Sequence, residues 1–285
     1  MDSTKPAVPV RVSSIEIENY KSLDKLRLEF PLPSTAEQLD VFVLGSRNGG
    51  GKSSVLECLA LPFSPSVPDF YRGCIRHEED FARIQASLSV GGERCLAEIL
   101  LSPTGANEGE YEENLPELKS FCTNVSTEGA LLEVVRGKKE KVLVRPPLLF
   151  FPSHRRVVHG DTLLADAHTD LGGTDGDLFQ AKLVLSLLRR DFGDGFPGAF
   201  EALSSGQKEI ISTLFTIWSA TYHQPSVVLI DEPELHLNAE WQRIFVSKLV
   251  ELAPKNQYIL ATHSEEIFAS VAKDRRLLLR KEVAA

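Results

Sequence analysis

The sequence predicts an α/β fold with a mixed β-sheet, mainly parallel, and a small antiparallel β portion near the start. Three observations lead there. The short runs Val41–Leu44, Val227–Ile230 and Asn256–Ala261 read as buried strands. Each gives way to a turn and then to apolar residues at helical spacing, which is the strand–helix repeat of a parallel sheet. The runs end, in turn, in a glycine-rich loop, a pair of carboxylates and a histidine. Parallel sheets bind ligands at the edge where their strands end.

Each element has its own signature. The opening VRVSSIEIENY alternates apolar and polar residues, as does KLRLEF, and the polar Lys21 to Asp24 between them suggests a hairpin at a sheet edge. Pro31, Pro33 and Ser34 mark a loop before Val41–Leu44, and SSVLECLAL after it is apolar-periodic. Further on, EALSSGQKEIISTLFTIWSA places Ile210, Ile211, Leu214, Phe215 and Trp218 on one helical face. The stretch Glu240–Leu252 does the same with Trp241, Ile244, Phe245, Leu249 and Leu252, and EEIFASVA forms a last helix. Ser102–Glu117 and Gly172–Gly176 read as exposed loops, either of which would suit a partner.

Composition narrows the class. At 285 residues and 42% hydrophobic, the chain can bury a substantial core. No stretch reaches the roughly 20 apolar residues of a membrane helix, and the start lacks a signal-peptide layout, so a cytoplasmic protein with no membrane partner is expected. Cys58, Cys74, Cys95 and Cys122 are scattered without metal-ligand spacing and read as reduced packing residues. A net charge of −9 makes the whole chain a poor polyanion binder and leaves only a local basic patch for nucleic acid.

The glycine-rich loop comprises Ser46, Arg47, Asn48, Gly49, Gly50, Gly51, Lys52, Ser53 and Ser54. It follows the phosphate-binding pattern Gly-x4-Gly-Lys-Ser/Thr, with serine at the first position. Glycines let backbone N–H groups surround phosphate oxygens, and the helix that starts near Lys52 aims its positive end at them. Lys52 is expected to neutralise the β and γ phosphates of ATP, and Ser53 to offer a hydroxyl to Mg²⁺. Asn48 tolerates unusual backbone angles, and Gly45 is expected to supply the freedom lost at Ser46. An ordinary glycine-rich turn is the bland alternative.

Two adjacent carboxylates at the end of a buried strand are costly unless a metal and a water use them. Asp231 is therefore the natural partner of Mg²⁺ and Glu232 the natural base for an attacking water, against the plainer reading of two solvated strand-end residues. His263 ends the next strand, where it is either a polar loop residue or a group reaching the γ phosphate. The Ser-Ser-Gly start of the helix after Leu203 is either a second anion site or simply a cap.

LSSGQK, then LIDEPELHL, then ATHS, after RNGGGKS, resemble in their order the ABC-type ATPase heads of the RecF, SMC and OLD group. The opening IEIENYKSL is similar to that group's first strand and turn. The resemblance covers nearly the whole chain in segments and is weakest over residues 66–200. It implies a P-loop NTPase: one ABC-type ATPase domain over residues 1–285, with a helical signature subdomain at 159–220. It further implies that Ser53 and Asp231 hold Mg²⁺, that Glu232 is the catalytic base and that His263 is the switch histidine. Ser204, Gly206 and Gln207 would form the signature that closes over ATP bound to another subunit, giving a homodimer or higher oligomer of ATP-sandwiched heads.

The chain departs from the family at Ser46, and at Asn238 and Ala239, which stand for the usual His-Pro. No segment is assigned as the Gln-loop, and Gln85 in FARIQASLSV is a weak match to it. No sustained heptad run exists, which excludes coiled-coil arms. OLD nucleases carry a nuclease domain after the head, so here nuclease activity is expected of a separate protein.

Three functional classes follow: a DNA-associated ATPase of repair or genome maintenance, an ATPase sensor or scaffold subunit of an antiviral defence system with a separate nuclease or toxin effector, and, less favoured, a transporter ATPase. For DNA, the local basic cluster Arg136, Lys138, Lys139, Lys141, Arg145, Arg155 and Arg156 is the feature to weigh against a plain solvated face. Arg155 and Arg156 fit phosphate contact within a dimer equally well.

Overall fold

A computed structural model describes residues 9–33, 38–46, 49–63, 74–90, 93–101, 148–153, 205–221, 225–235 and 237–279. The mixed β content resolves into two sheets. One is wholly antiparallel, in the order β2 (Leu23–Glu29), β1 (Val10–Tyr20), β4 (Ala82–Val90), β5 (Glu93–Leu101). The expected hairpin forms, but only β2 lies at an edge, because β4 pairs along the other side of β1. A bulge between Val12 and Ser14 resets the alternation of β1, so that Val10 and Val12 before it and Ile15 and Ile17 after it all point inward.

The second sheet is wholly parallel, in the order β6 (Leu148–Phe151), β7 (Val227–Asp231), β8 (Gln257–Thr262), β3 (Val41–Gly45), β9 (Arg276–Leu278). Its three central strands are buried on both faces, which is why their sequences run apolar without alternating. Phe42, Leu44, Val227, Leu229, Ile259 and Ala261 face one core, which they share with the antiparallel sheet and with α1 (Lys52–Ala60). Val41, Val43, Val228, Ile230, Tyr258 and Leu260 face a second core. There they meet Ile210, Leu214 and Ile217 of α2 (Ser205–Thr221), Trp241, Phe245 and Leu249 of α3 (Ala239–Leu252), and Ile267 of α4 (Glu265–Ala269). With α1 between the two sheets, Val55, Leu56, Cys58 and Leu59 are wholly buried.

Polar groups fix the layers in register. The Gln257 side chain accepts from the Val12 amide at 2.7 Å and donates to the Val12 carbonyl at 2.8 Å, standing in for a strand partner beside the bulge. At the start of β3, Asp40 pairs with Arg11, and Arg275 lies 4.0 Å away, donating to the Pro31 carbonyl and stacking on Phe42. Burial pushes the Asp40 carboxyl up to about 6, against the pull of the Arg11 and Arg275 guanidinium groups.

The expected signature subdomain lies outside the described residues except for α2. The basic cluster and both expected exposed loops also lie outside them. Gln85 sits within β4, where its amide donates to Glu98, so it belongs to a paired strand rather than to a loop.

Candidate phosphate-binding site

Parallel register sets the three strand ends level. Gly45 pairs with Thr262 and Asp231 with Ala261, so the segments after β3, β7 and β8 all leave the sheet at one edge. After β3 the chain passes through Gly49 (φ +73°) and Gly51 (φ +81°), both left-handed, before α1 begins at Lys52. At Gly51 a Cβ would lie 2.5 Å from Leu23 Cδ2, so the first residue of β2 packs directly on the loop. Gly45, expected to supply the freedom lost at Ser46, is absent from the positive-φ positions. It is required for another reason: a Cβ there would sit 2.7 Å from the ring of Phe268.

Lys52 is 5% exposed, and its ammonium lies 3.2 Å from Ser46 Oγ and 2.8 Å from His263 Nε2. Burial lowers its pKa below the ordinary 10.5, and the nearby Asp231, Glu234 and Glu232 work against that shift. Ser53 is exposed in the first turn of α1, whereas Ser54 is buried. Asp231 ends β7 and is 2% exposed. The next residue, Glu232, adopts φ +48°, a left-handed conformation that costs a non-glycine residue about 1 kcal/mol. Its amide donates to the Ala261 carbonyl at 2.8 Å, and its carboxylate stands 3.8 Å from His263 Nε2. The strained turn thus aims the Glu232 side chain back toward the histidine and the lysine.

The structure brings together Ser46, Gly49, Gly50, Gly51, Lys52, Ser53, Asp231, Glu232 and His263 on one sheet edge. Arg47, Asn48 and Ser204 lie outside the described residues. Gly206 and Gln207 fall in the first turn of α2. Asn238, which replaces the family's histidine, caps α3 by accepting from the Trp241 amide at 2.9 Å.

The donor set fits Mg²⁺. Among the described residues no cluster of three or more His, Cys, Asp or Glu forms a cage for a metal. Asp231 offers a carboxylate and Ser53 a hydroxyl at this edge, with the carboxylates of Glu232 and Glu234 nearby. A hard ion that keeps waters and takes further oxygens from phosphates needs no more.

Residues 67–269 match the family described as "AAA domain, putative AbiEii toxin, Type IV TA system". The chain belongs to this AAA family. The matched span includes the carboxylate pair and His263 and begins after the glycine loop. The AAA chain is 24% identical over 273 residues to the Septu protein PtuA of Bacillus mycoides (strain KBAB4), covering 89% of this chain and 38% of that protein. It is 34% identical over 83 residues to the Retron Vc95 probable ATPase of Vibrio cholerae serotype O1 biovar El Tor, covering 26% of this chain and 16% of that one. The chain therefore spans well under half the length of either relative. Among solved structures, the SMC head domain from Thermotoga maritima superposes with a TM-score of 0.55 at 16% identity, over 92% of each chain. The fold of this AAA chain is thus that of an SMC head domain, in keeping with the resemblance read from the sequence. No helix among the described residues is long and apolar enough to cross a membrane.

Sequence reasoning overlooked three residues at this edge. Glu234 and Gln242 bond to the segment that carries His263, and Leu23 packs on Gly51. Glu234 had a visible signal in its place two residues after Glu232. The other two act through contacts that no local pattern announces.

Proposed function

We propose that this chain is a Mg²⁺-dependent ATPase that acts as a nucleotide switch, closing head to head on ATP and reopening after hydrolysis. The carrying observation is the meeting of three strand ends, with Lys52 at 2.8 Å from His263 and Glu232 at 3.8 Å from the same ring nitrogen. In this reading the glycine-loop amides and Lys52 bind the β and γ phosphates, displacing Lys52 from His263. Ser53 and Asp231 would hold Mg²⁺, which would supply positive charge to the phosphate oxygens. Glu232 accepts a proton from water as its oxygen bonds to the γ phosphorus. The bond to the β–γ bridging oxygen breaks and ADP keeps that electron pair. His263 orients the γ phosphate, and the start of α2 faces ATP held by a second subunit.

For the biological role, the likeness to a Septu protein and to a retron's probable ATPase favours an antiviral defence system, with this chain governing a separate nuclease or toxin effector. A DNA-repair role has the SMC-type fold in its support, and that fold is common to both readings. Hydrolysis by the purified chain, compared with Glu232→Gln, tests the base. The variant should bind ATP as tightly as the wild type and hydrolyse it about 10²- to 10⁴-fold more slowly, accumulating as a dimer. An unchanged rate rejects Glu232 as base. Stimulation by duplex DNA would move the role toward genome maintenance.

A further inference from the structure

We infer that Glu234 is a positioning residue for the site, holding His263 in place through the end of β8; the inference rests on the reading of His263 given above. Glu234 lies in the turn after β7, where the Leu235 amide donates to the Glu232 carbonyl and the Leu237 amide to that of Glu234. From there its carboxylate crosses to the neighbouring strand and uses both oxygens. Oε2 accepts from the Thr262 hydroxyl at 2.6 Å, and Oε1 from the His263 backbone amide at 2.6 Å. Thr262 is 2% exposed, and its Oγ1 in turn accepts from the Ser264 amide at 2.9 Å. Three consecutive residues, Thr262 to Ser264, are therefore set by one carboxylate.

Charge-assisted bonds of this length are stronger and more directional than neutral ones. Their effect here is on His263, whose side chain is exposed and gains little from packing. Without the clamp, the His263 backbone amide loses its bond to the turn after β7, and the side chain keeps only contacts such as that with Lys52. The same segment is braced from α3. Gln242 accepts from the Ser264 hydroxyl at 2.7 Å and donates to the Leu237 carbonyl at 2.8 Å. The turn that carries Glu232 and the turn that carries His263 are consequently one bonded unit. Glu234 also adds negative charge near Lys52, but it makes no bond to that lysine among those described. Its action is through His263.

The test uses the full chain with two readouts, ATP turnover and the backbone amide signal of His263. In Glu234→Ala the amide signal should move upfield and its hydrogen exchange should quicken at least tenfold. The kcat should fall about 10- to 100-fold, with KM within threefold of the wild type. Combined with His263→Ala, Glu234→Ala should add no further loss, because both act through one group. Glu234→Gln, whose carbonyl can still accept from the His263 amide, should recover most of the rate. An unmoved His263 amide in Glu234→Ala overturns the proposal, and so does a double variant whose losses multiply. Failure of the wider reading looks different: Glu232→Gln would turn over ATP like the wild type while the His263 amide still answered to Glu234.

Discussion

The ammonium of Lys52 lies 2.8 Å from Nε2 of His263, across 211 positions of sequence and between the ends of two neighbouring parallel strands. A lysine so buried, with its ammonium set against a histidine ring, is an anion site held in reserve. Removing it should weaken ATP binding by about 10- to 100-fold, the usual worth of one or two charged hydrogen bonds. Titration of Lys52→Ala with nucleotide measures this. Because burial lowers the lysine's pKa, the wild type should lose affinity as pH rises toward 10.5, and the variant should show no such loss.

Gly51 combines φ +81° with a Cβ position only 2.5 Å from Leu23. Gly51→Ala should therefore cost about 1–3 kcal/mol, from the left-handed backbone and the crowding together. Thermal melts should show a lower midpoint, and trimming Leu23 to alanine in the same chain should recover only the crowding part.

Asp40 gives a pH dependence of definite sign. Its folded pKa, about 6, lies above the ordinary 3.8, so the unfolded chain loses this proton first. The carboxyl's contribution is complete below 3.8 and is lost as pH rises through 6. Measured against Asp40→Asn, the wild type should lose roughly 3 kcal/mol of stability between those limits. Denaturant midpoints at several pH values check the slope.

Gln257→Leu keeps the volume of a buried side chain but removes both bonds to Val12. The stranded amide and carbonyl should cost about 2–5 kcal/mol together. Chemical denaturation measures the loss, and faster hydrogen exchange at the Val12 amide would locate it.

What the sequence disclosed and what it hid follow from period and distance. β3, β7 and β8 were readable because strands buried on two faces need unbroken apolar runs. β4 alternates inward as Ala82, Ile84, Ala86 and Leu88, and its two small alanines dilute the signal. β5 puts Leu96 and Leu100 outside while Ala97 and Leu101 lie inside, which erases the period. Site chemistry at strand ends was legible because carboxylates and glycines are rare next to such runs. The clamp of Glu234 on Thr262 and His263 spans about one βαβ unit, and only the fold reveals it. Gly45 looked like a loop glycine, and it proved to be a seat for Phe268.

β1 is tied down at both ends. Near its start Gln257 grips Val12, and at its close the Tyr20 hydroxyl donates to Glu57 at 3.0 Å on the helix that Lys52 begins. The antiparallel sheet is thus bonded both to β8 and to α1, so a partner that shifted that sheet would strain bonds that reach the strand and the helix on either side of the phosphate loop.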